Sequence, residues 1–307
     1  DVYKRQGKDY PALIGDDNLP FENAGVLKTT GFELQAKWSD KLSNGFAYSV
    51  GVALSDDKAE VLSYPSNPTN KIGDGVLYKG YTVGDIWGYE TGGILQESDF
   101  DGVGPNGKPL YHGAYFKGGQ PYPGYVWYQD LDHDGVITSG LSTVDDPGDK
   151  KVIGNNAPRY RYNITANFQY KGFDLDLMFQ GVGKRDYWLK DVSSYWGGGA
   201  GSWETYNQSW TPERTDAKFP MYGSGIGSYA QSGYLLDASY IKLKQVILGY
   251  TFPKALIGKV GLKKLRLNIA AYNLFTLSDV PKYYDSDYLS DAYPPKRTFS
   301  VGIQVGF

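Results

Sequence analysis

The sequence predicts an all-β fold: an antiparallel transmembrane β-barrel, of which this chain supplies about seven strands. The first sign is residues 298–307, TFSVGIQVGF. There Phe299, Val301, Ile303, Val305 and Phe307 alternate with Thr298, Ser300, Gly302, Gln304 and Gly306. Strict alternation marks a strand with one oily and one wet face. At about 3.3 Å per residue, such a strand tilted by about 45° crosses the hydrocarbon of a bilayer. The second sign is composition: 28 Tyr, 7 Trp and 40 Gly suit strands, turns and the aromatic girdles of a barrel. The third is the way the connections sort by length once the strands are laid out.

Residues 1–30 are rich in turn formers (Pro11, Gly15, Asp16, Asp17, Pro20) and read as a loop. Residues 31–38 alternate through Phe32, Leu34, Ala36 and Trp38. After a short polar turn, 45–54 alternate again through Phe46, Tyr48, Val50, Val52 and Leu54, which makes a hairpin. The span 55–158 is dense in Gly, Pro, Asp and Tyr with little sustained alternation, and has room for local hairpins. Residues 159–170 form the cleanest strand, Lys171-Gly172 a tight turn, and 173–181 the next strand, with Asp174 and Asp176 on its wet parity. A second long loop covers 182–237. A strand over 239–250 slips parity near Lys244 and Gln245, as a bulge would. Residues 252–263 read as a turn or short helix, 264–274 as a strand, and a last loop leads to 298–307. The long connections (55–158, 182–237, 275–297) all fall at one end of the strands and the short ones at the other. Outer-membrane barrels sort their loops this way, whereas a soluble sandwich has no reason to. Seven strands do not close a membrane barrel, so further strands are expected upstream.

Bulk properties remove several function classes. Net charge is −3 and no basic cluster stands out along the chain, so nucleic acid is not an expected partner. There is no cysteine, which excludes disulfides, thiol catalysis and cysteine metal sites. Two histidines, His112 and His133, do not build a zinc site unaided. No apolar run approaches the length of a transmembrane helix. The chain begins at Asp1 without a signal segment, so 1–307 reads as the C-terminal part of a longer protein.

Asp130, Asp132, Asp134 and Gly135 form D-x-D-x-D-G ahead of Val136. Carboxylates at alternate positions converge on a hard cation, glycine allows the sharp bend, and a following backbone carbonyl adds an oxygen. The expected ligands are Asp130, Asp132, Asp134 and Val136, the ion Ca2+, and the role loop rigidity. The twelfth position is Leu141 rather than Glu, so the loop is not an EF-hand, and Asp145, Asp146 or Asp149 could supply the missing carboxylate. An Asp-Gly turn closed by its own side chains gives the same pattern. Trp87, Tyr128, Trp188, Trp196 and Trp203 are candidates for stacking on substrate, although large rings equally pack long loops together. No nucleophile, zincin or phosphate-loop motif occurs. The acid pairs Asp56-Asp57 and Asp145-Asp146 read as solvated loop residues. No catalytic residue and no organic cofactor is expected.

Several stretches resemble SusC/RagA-type TonB-dependent transporters: NAGVLKTTGFELQAKW (23–38), VGDIWGYETGGILQ (83–96), DLDHDGVI (130–137), VIGNNAPRYRYN (152–163), YKGFDLDLMFQG (170–181), SWTPERTDAKFP (209–220), YIKLKQVILGYTFP (240–253), NLFT (273–276) and YPPKRTFSVGIQVGF (293–307). The resemblance implies a 22-stranded barrel in the outer membrane of a Gram-negative, Bacteroidetes-like cell. It implies an N-terminal plug, a TonB box and energy delivered through TonB. It also implies a SusD-like surface lipoprotein as partner, and glycans or peptides as substrates. Plug, TonB box and signal peptide are not in this sequence. The other reading is a secreted calcium-binding, carbohydrate-binding β-protein without a transport role.

Overall fold

The computed structural model describes residues 2–7, 21–188, 206–224, 229–280, 284–289 and 295–307, with residues 2–7 and 21–24 as backbone only. Eight strands form the main sheet. They are β1 (Val2–Gly7), β2 (Phe21–Lys41), β3 (Ala47–Ser63), β4 (Arg159–Tyr170), β5 (Phe173–Lys184), β6 (Tyr240–Thr251), β7 (Lys264–Leu277) and β8 (Thr298–Gly306). Their order in the sheet is their order in the chain. Such a meander needs only antiparallel neighbours and local connections. No helix among the described residues is long and apolar enough to cross a membrane.

All seven expected strands are present, and β1 is an eighth. The region 1–30 is therefore not all loop: β1 pairs with the start of β2, Val2 opposite Leu27 and Gly7 opposite Phe21. The turn formers between them lie outside the described residues. β2 and β3 also run well past the alternating cores at 31–38 and 45–54. The parity slip at Lys244 is a bulge, since Leu243 faces Phe275 while Gln245 faces Tyr272. The connection from β6 to β7 is one helical turn, Lys254–Ile257, continued as a 3-10 turn, Gly258–Val260.

Register assigns the faces. Val52, Ile164, Phe179 and Leu243 are successive cross-strand partners. So are Phe168, Leu175, Leu248, Ile269 and Val301. Directly opposed residues share a face, so these lie on one continuous apolar surface, and much of it is open: Val301 is 77% exposed and Ile303 68%. On the opposite face Asn163 faces Gln180, Asn167 faces Asp176, Gln169 faces Asp174, and Arg266 faces Gln304. An exposed apolar face backed by a polar one inverts the pattern of a soluble core.

The short connections 42–46, 171–172 and 252–263 lie at one end, because Ala47 pairs with Gln169, Phe173 with Tyr250 and Lys264 with Gly306. Rings gather there. Phe46 packs on Tyr48, Phe168 and Tyr170, and Tyr250 packs between Phe173 and Phe252. A row of rings at one rim of an apolar band is what an interfacial girdle requires.

The chain divides into two compact units. One holds residues 30–58, 158–185 and 237–307 and contains most of the sheet. The other holds 1–29, 59–157 and 186–236. The second unit is built from short strand pairs, such as Asp85–Tyr89 with Lys150–Asn155 and Thr91–Ile94 with Val126–Tyr128. Small clusters seal it: Val61, Ile72, Tyr78 and Tyr81 in one, and Tyr89, Tyr128 and Ile137 in another. The span from 55 is thus strand as far as Ser63 and then a folded unit.

Ile164 and Thr165 are neighbours at the middle of β4 on opposite faces. Ile164→Arg is expected to cost the membrane-inserted protein about 2–4 kcal/mol, and Thr165→Arg little. Denaturant unfolding of both variants in the same lipid measures the difference; equal losses would reject the assignment of faces.

Candidate functional site

Charges on the polar face are neutralised in pairs. Arg266 of β7 reaches Asp174 of β5 at 2.5 Å, across the intervening β6. The space it crosses is held open by Gly249, where an added Cβ would meet both partners. Asn167 donates to Asp176, and Arg161 pairs with Asp57. Asp56 is buried and receives Arg159 through two 2.5 Å hydrogen bonds. Asp56 and Asp57 are therefore strand residues with partners, not solvated loop acids. Asp56 sits where the sheet gives it a guanidinium, and an unpaired buried carboxylate would cost several kcal/mol.

At the end of the sheet away from the short turns, Arg161, Asn163, Gln180, Tyr240, Lys244 and Asp287 border a cavity of about 860 Å³. Its edge is held by a charge cluster that the sequence reading missed. Lys242 of β6 is 2% exposed. Its Nζ donates to Asp285 at 2.8 Å and to Asp287 at 2.8 Å, and Lys244 adds a 2.9 Å contact to Asp287. Arg185 donates to the Asp287 carbonyl at 3.3 Å. Burial alone would raise the Asp287 carboxyl, but hydrogen bonds from Lys242, Tyr240 and Lys244 outweigh it and bring it down to about 2. The segment 284–289 is thus latched to the strand by opposite charges some forty residues away in sequence. The available signal was the matched spacing of Lys-Leu-Lys and Asp-Ser-Asp.

The expected cation loop lies in the second unit. Gly135 has φ +86, a conformation glycine adopts freely. Asp130 accepts from the N–H of His133 at 2.7 Å and of Gly135 at 2.8 Å. Asp134 turns to the N–H of Val136 at 2.8 Å. Asp130 and Asp132 converge instead with Asp149, with a carboxylate oxygen of each within 4.8 Å of the others. Asp149 is fully buried and accepts from Leu131 and Thr138, both at 2.7 Å. Partial desolvation raises Asp130, but the backbone donors Gly135 and His133 outweigh it and its carboxyl is lowered. For Asp132 the Asp134 N–H pulls downward, yet desolvation and the negative charges of Asp149 and Asp134 leave it raised. This triad of carboxylates could hold a metal ion.

Trp87, half-buried, and Tyr128, buried, both pack within the unit. Trp87 donates to the Tyr78 hydroxyl at 2.9 Å beside the Val61 cluster. Tyr128 is 7% exposed, packs on Tyr89 and Phe116, and takes a hydrogen bond from Gln231 at 3.3 Å. Burial pushes the Tyr89 phenol up to about 12 and raises Tyr128 as well. Trp188 is half-buried, and Trp196 and Trp203 lie outside the described residues.

No family model matches the chain. It is 27% identical over 93% of its length to TonB-dependent receptor P3 of Formosa agariphila, and 24% identical over 94% to TonB-dependent receptor P26 of the same bacterium. It spans about 30% of the length of these curated relatives. Its fold matches the RagAB peptide transporter with TM-score 0.71 at 16% identity, covering 98% of this chain and 31% of that one. The RagAB peptide importer in its open-open state matches with TM-score 0.70 at 19% identity, covering 99% and 31%. The chain is homologous to a part of the TonB-dependent receptors. Those receptors are outer-membrane proteins of Gram-negative bacteria, the location expected from its strands.

The folded-state pKa of Asp287 lies below the ordinary carboxylate value. Its contribution to the latch is therefore complete above about pH 4 and is lost as pH falls toward 2. Opening of 284–289 is expected to rise by roughly tenfold to twentyfold across that window. Amide exchange corrected for intrinsic rate measures it, and Asp287→Asn should flatten the profile.

Proposed function

We propose that this chain is the C-terminal part of the barrel wall of a TonB-dependent outer-membrane transporter. The transporter imports an oligosaccharide or oligopeptide together with a SusD-like surface lipoprotein. The single observation that carries this is the similarity to a TonB-dependent receptor across 93% of the chain, and the sheet, oily on one face and polar on the other, agrees with it. The remaining wall, the plug and the TonB contact belong, on this reading, to sequence beyond this chain, because a sheet with open edges is not tolerated in lipid.

The role is passage, not catalysis. Homologues of this chain are receptors, and its own polar face offers amides and paired charges rather than an activated nucleophile. Arg161, Asn163 and Gln180 around the cavity hydrogen-bond equally well to peptide amides and sugar hydroxyls. Many weak polar contacts hold a substrate without trapping it. The description of the structural neighbour as a peptide transporter adds weight to peptides.

Deleting the gene in its host is expected to bring uptake of labelled oligopeptide or oligosaccharide down to background, and collapse of the proton motive force should do the same. Uptake of both classes unaffected by deletion would sink the reading.

We also infer that Asp130, Asp132 and Asp149 hold a hard divalent cation of the calcium kind that stiffens the second unit. The raised Asp132 carboxyl supports this, because crowded negative charge is what a cation relieves. Proteolysis of residues 95–150 in the intact protein should be slower with calcium than with chelator, and Asp132→Ala should erase the difference. Equal rates in the unaltered protein would leave only a self-closed turn.

A further inference from the structure

In sequence the lysines of this chain are spread out, and register brings a group of them to one rim. Lys41 precedes the first short turn, Lys171 forms the second, and Lys254, Lys259, Lys263 and Lys264 lie in or beside the third. The three connections themselves hold no carboxylate side chain; Asp40, and Asp174 with its partner Arg266, stand two residues outside them, although the whole chain carries a net charge of −3. Lys254, Lys259, Lys263 and Lys264 are all exposed, and none is paired with an acid among the described residues. Two apolar residues stand among them, Leu256 at 58% and Val260 at 71% exposure, one turn apart, while Ile257 is 4% exposed. Phe252, the last ring of the girdle row, is two residues from Lys254.

We propose that this rim seats on anionic phospholipid headgroups of the periplasmic leaflet, with Leu256 and Val260 dipping to the acyl boundary and the lysines meeting phosphate. The proposal rests on the reading of the chain as barrel wall. Three features select a lipid surface. The girdle places an interface at this end. The extension beyond Phe252 is short, one helical turn and one 3-10 turn before β7 begins, so it stays beside the girdle. Charge of one sign with exposed apolar residues between is the pattern of an interfacial segment. An acidic protein would satisfy the lysines but has no need of the girdle.

The test uses the full-length parent with Val260→Cys carrying a polarity-sensitive fluorophore; this chain has no cysteine of its own, and any elsewhere in the parent are replaced first. The protein is reconstituted in nanodiscs of phosphatidylcholine, with or without phosphatidylglycerol. Heat-modifiable mobility first confirms that the barrel has formed, so failure of the wall reading shows separately. The emission is expected to shift to the blue when phosphatidylglycerol is present. High salt should reverse the shift, since screening shortens the reach of the charges to a few Å. The combined Lys254→Gln, Lys259→Gln, Lys263→Gln and Lys264→Gln variant should insert normally and show no shift. Emission that ignores phosphatidylglycerol overturns the proposal, as does emission that responds only to added polyglutamate or a shift that survives in the glutamine variant.

Discussion

The main sheet depends on the two-residue period of paired strands. Once backbone N–H and C=O groups are committed to neighbouring strands, each side chain has one of two directions, and register fixes which. Ile164 opposite Val52 and Phe179, and Asn163 opposite Gln180, are the same rule applied to adjacent residues. Lipid enforces it more strictly than water, because an unpaired backbone group in hydrocarbon has no substitute partner. A sheet of this kind carries its apolar residues outward, and its polar residues must neutralise one another inside. Arg159 with Asp56, Arg161 with Asp57 and Arg266 with Asp174 do so across strands.

The second unit obeys a different rule. Its strands are two to six residues long, too short for an oily face, and it holds together through tyrosine packing and side-chain hydrogen bonds to backbone. Asp149 accepting from Leu131 and Thr138 and Asn155 tying to Val83, Asp85 and Asp186 replace the ladder. Both excursions into this unit, 59–157 and 186–236, leave and return on strands that pair with one another. The ends of each insertion are thus already close, and length adds little closure cost.

This contrast explains what could be read from the chain alone. β4 and β5 were legible nearly to the residue, because 159–181 alternate without interruption around Lys171-Gly172, and the bulge showed itself as a slipped parity at Lys244. β1 and the start of β2 were missed because Phe21–Thr30 does not alternate and is held extended by its partner strand. The continuation of β3 was missed because charges at Asp56, Asp57 and Lys58 look like loop, and their partners lie a hundred residues away. The acidic loop was legible as a motif, with Asp149 one of three candidates for the extra carboxylate. That Asp134 turns away toward Val136 is a matter of local hydrogen-bond geometry, which spacing does not encode. Trp87 and Tyr128 show the same limit: sequence marks them as large rings, and only packing shows that Trp87 bonds to Tyr78 while Tyr128 is buried.

Gly249 has a consequence for how such a wall changes over generations. Asp174 and Arg266 sit on strands that are not neighbours, and their contact exists because the residue between them has no side chain. The three positions therefore constitute one heritable unit. A larger residue at 249 obliges the ends of the Arg266 and Asp174 side chains to shift while the ion pair is present, and meets neither once both charges are gone. Loss of either charge alone strands the other on a polar but crowded face. Substitutions here should be epistatic, and the order in which they are acquired decides which lineages stay functional.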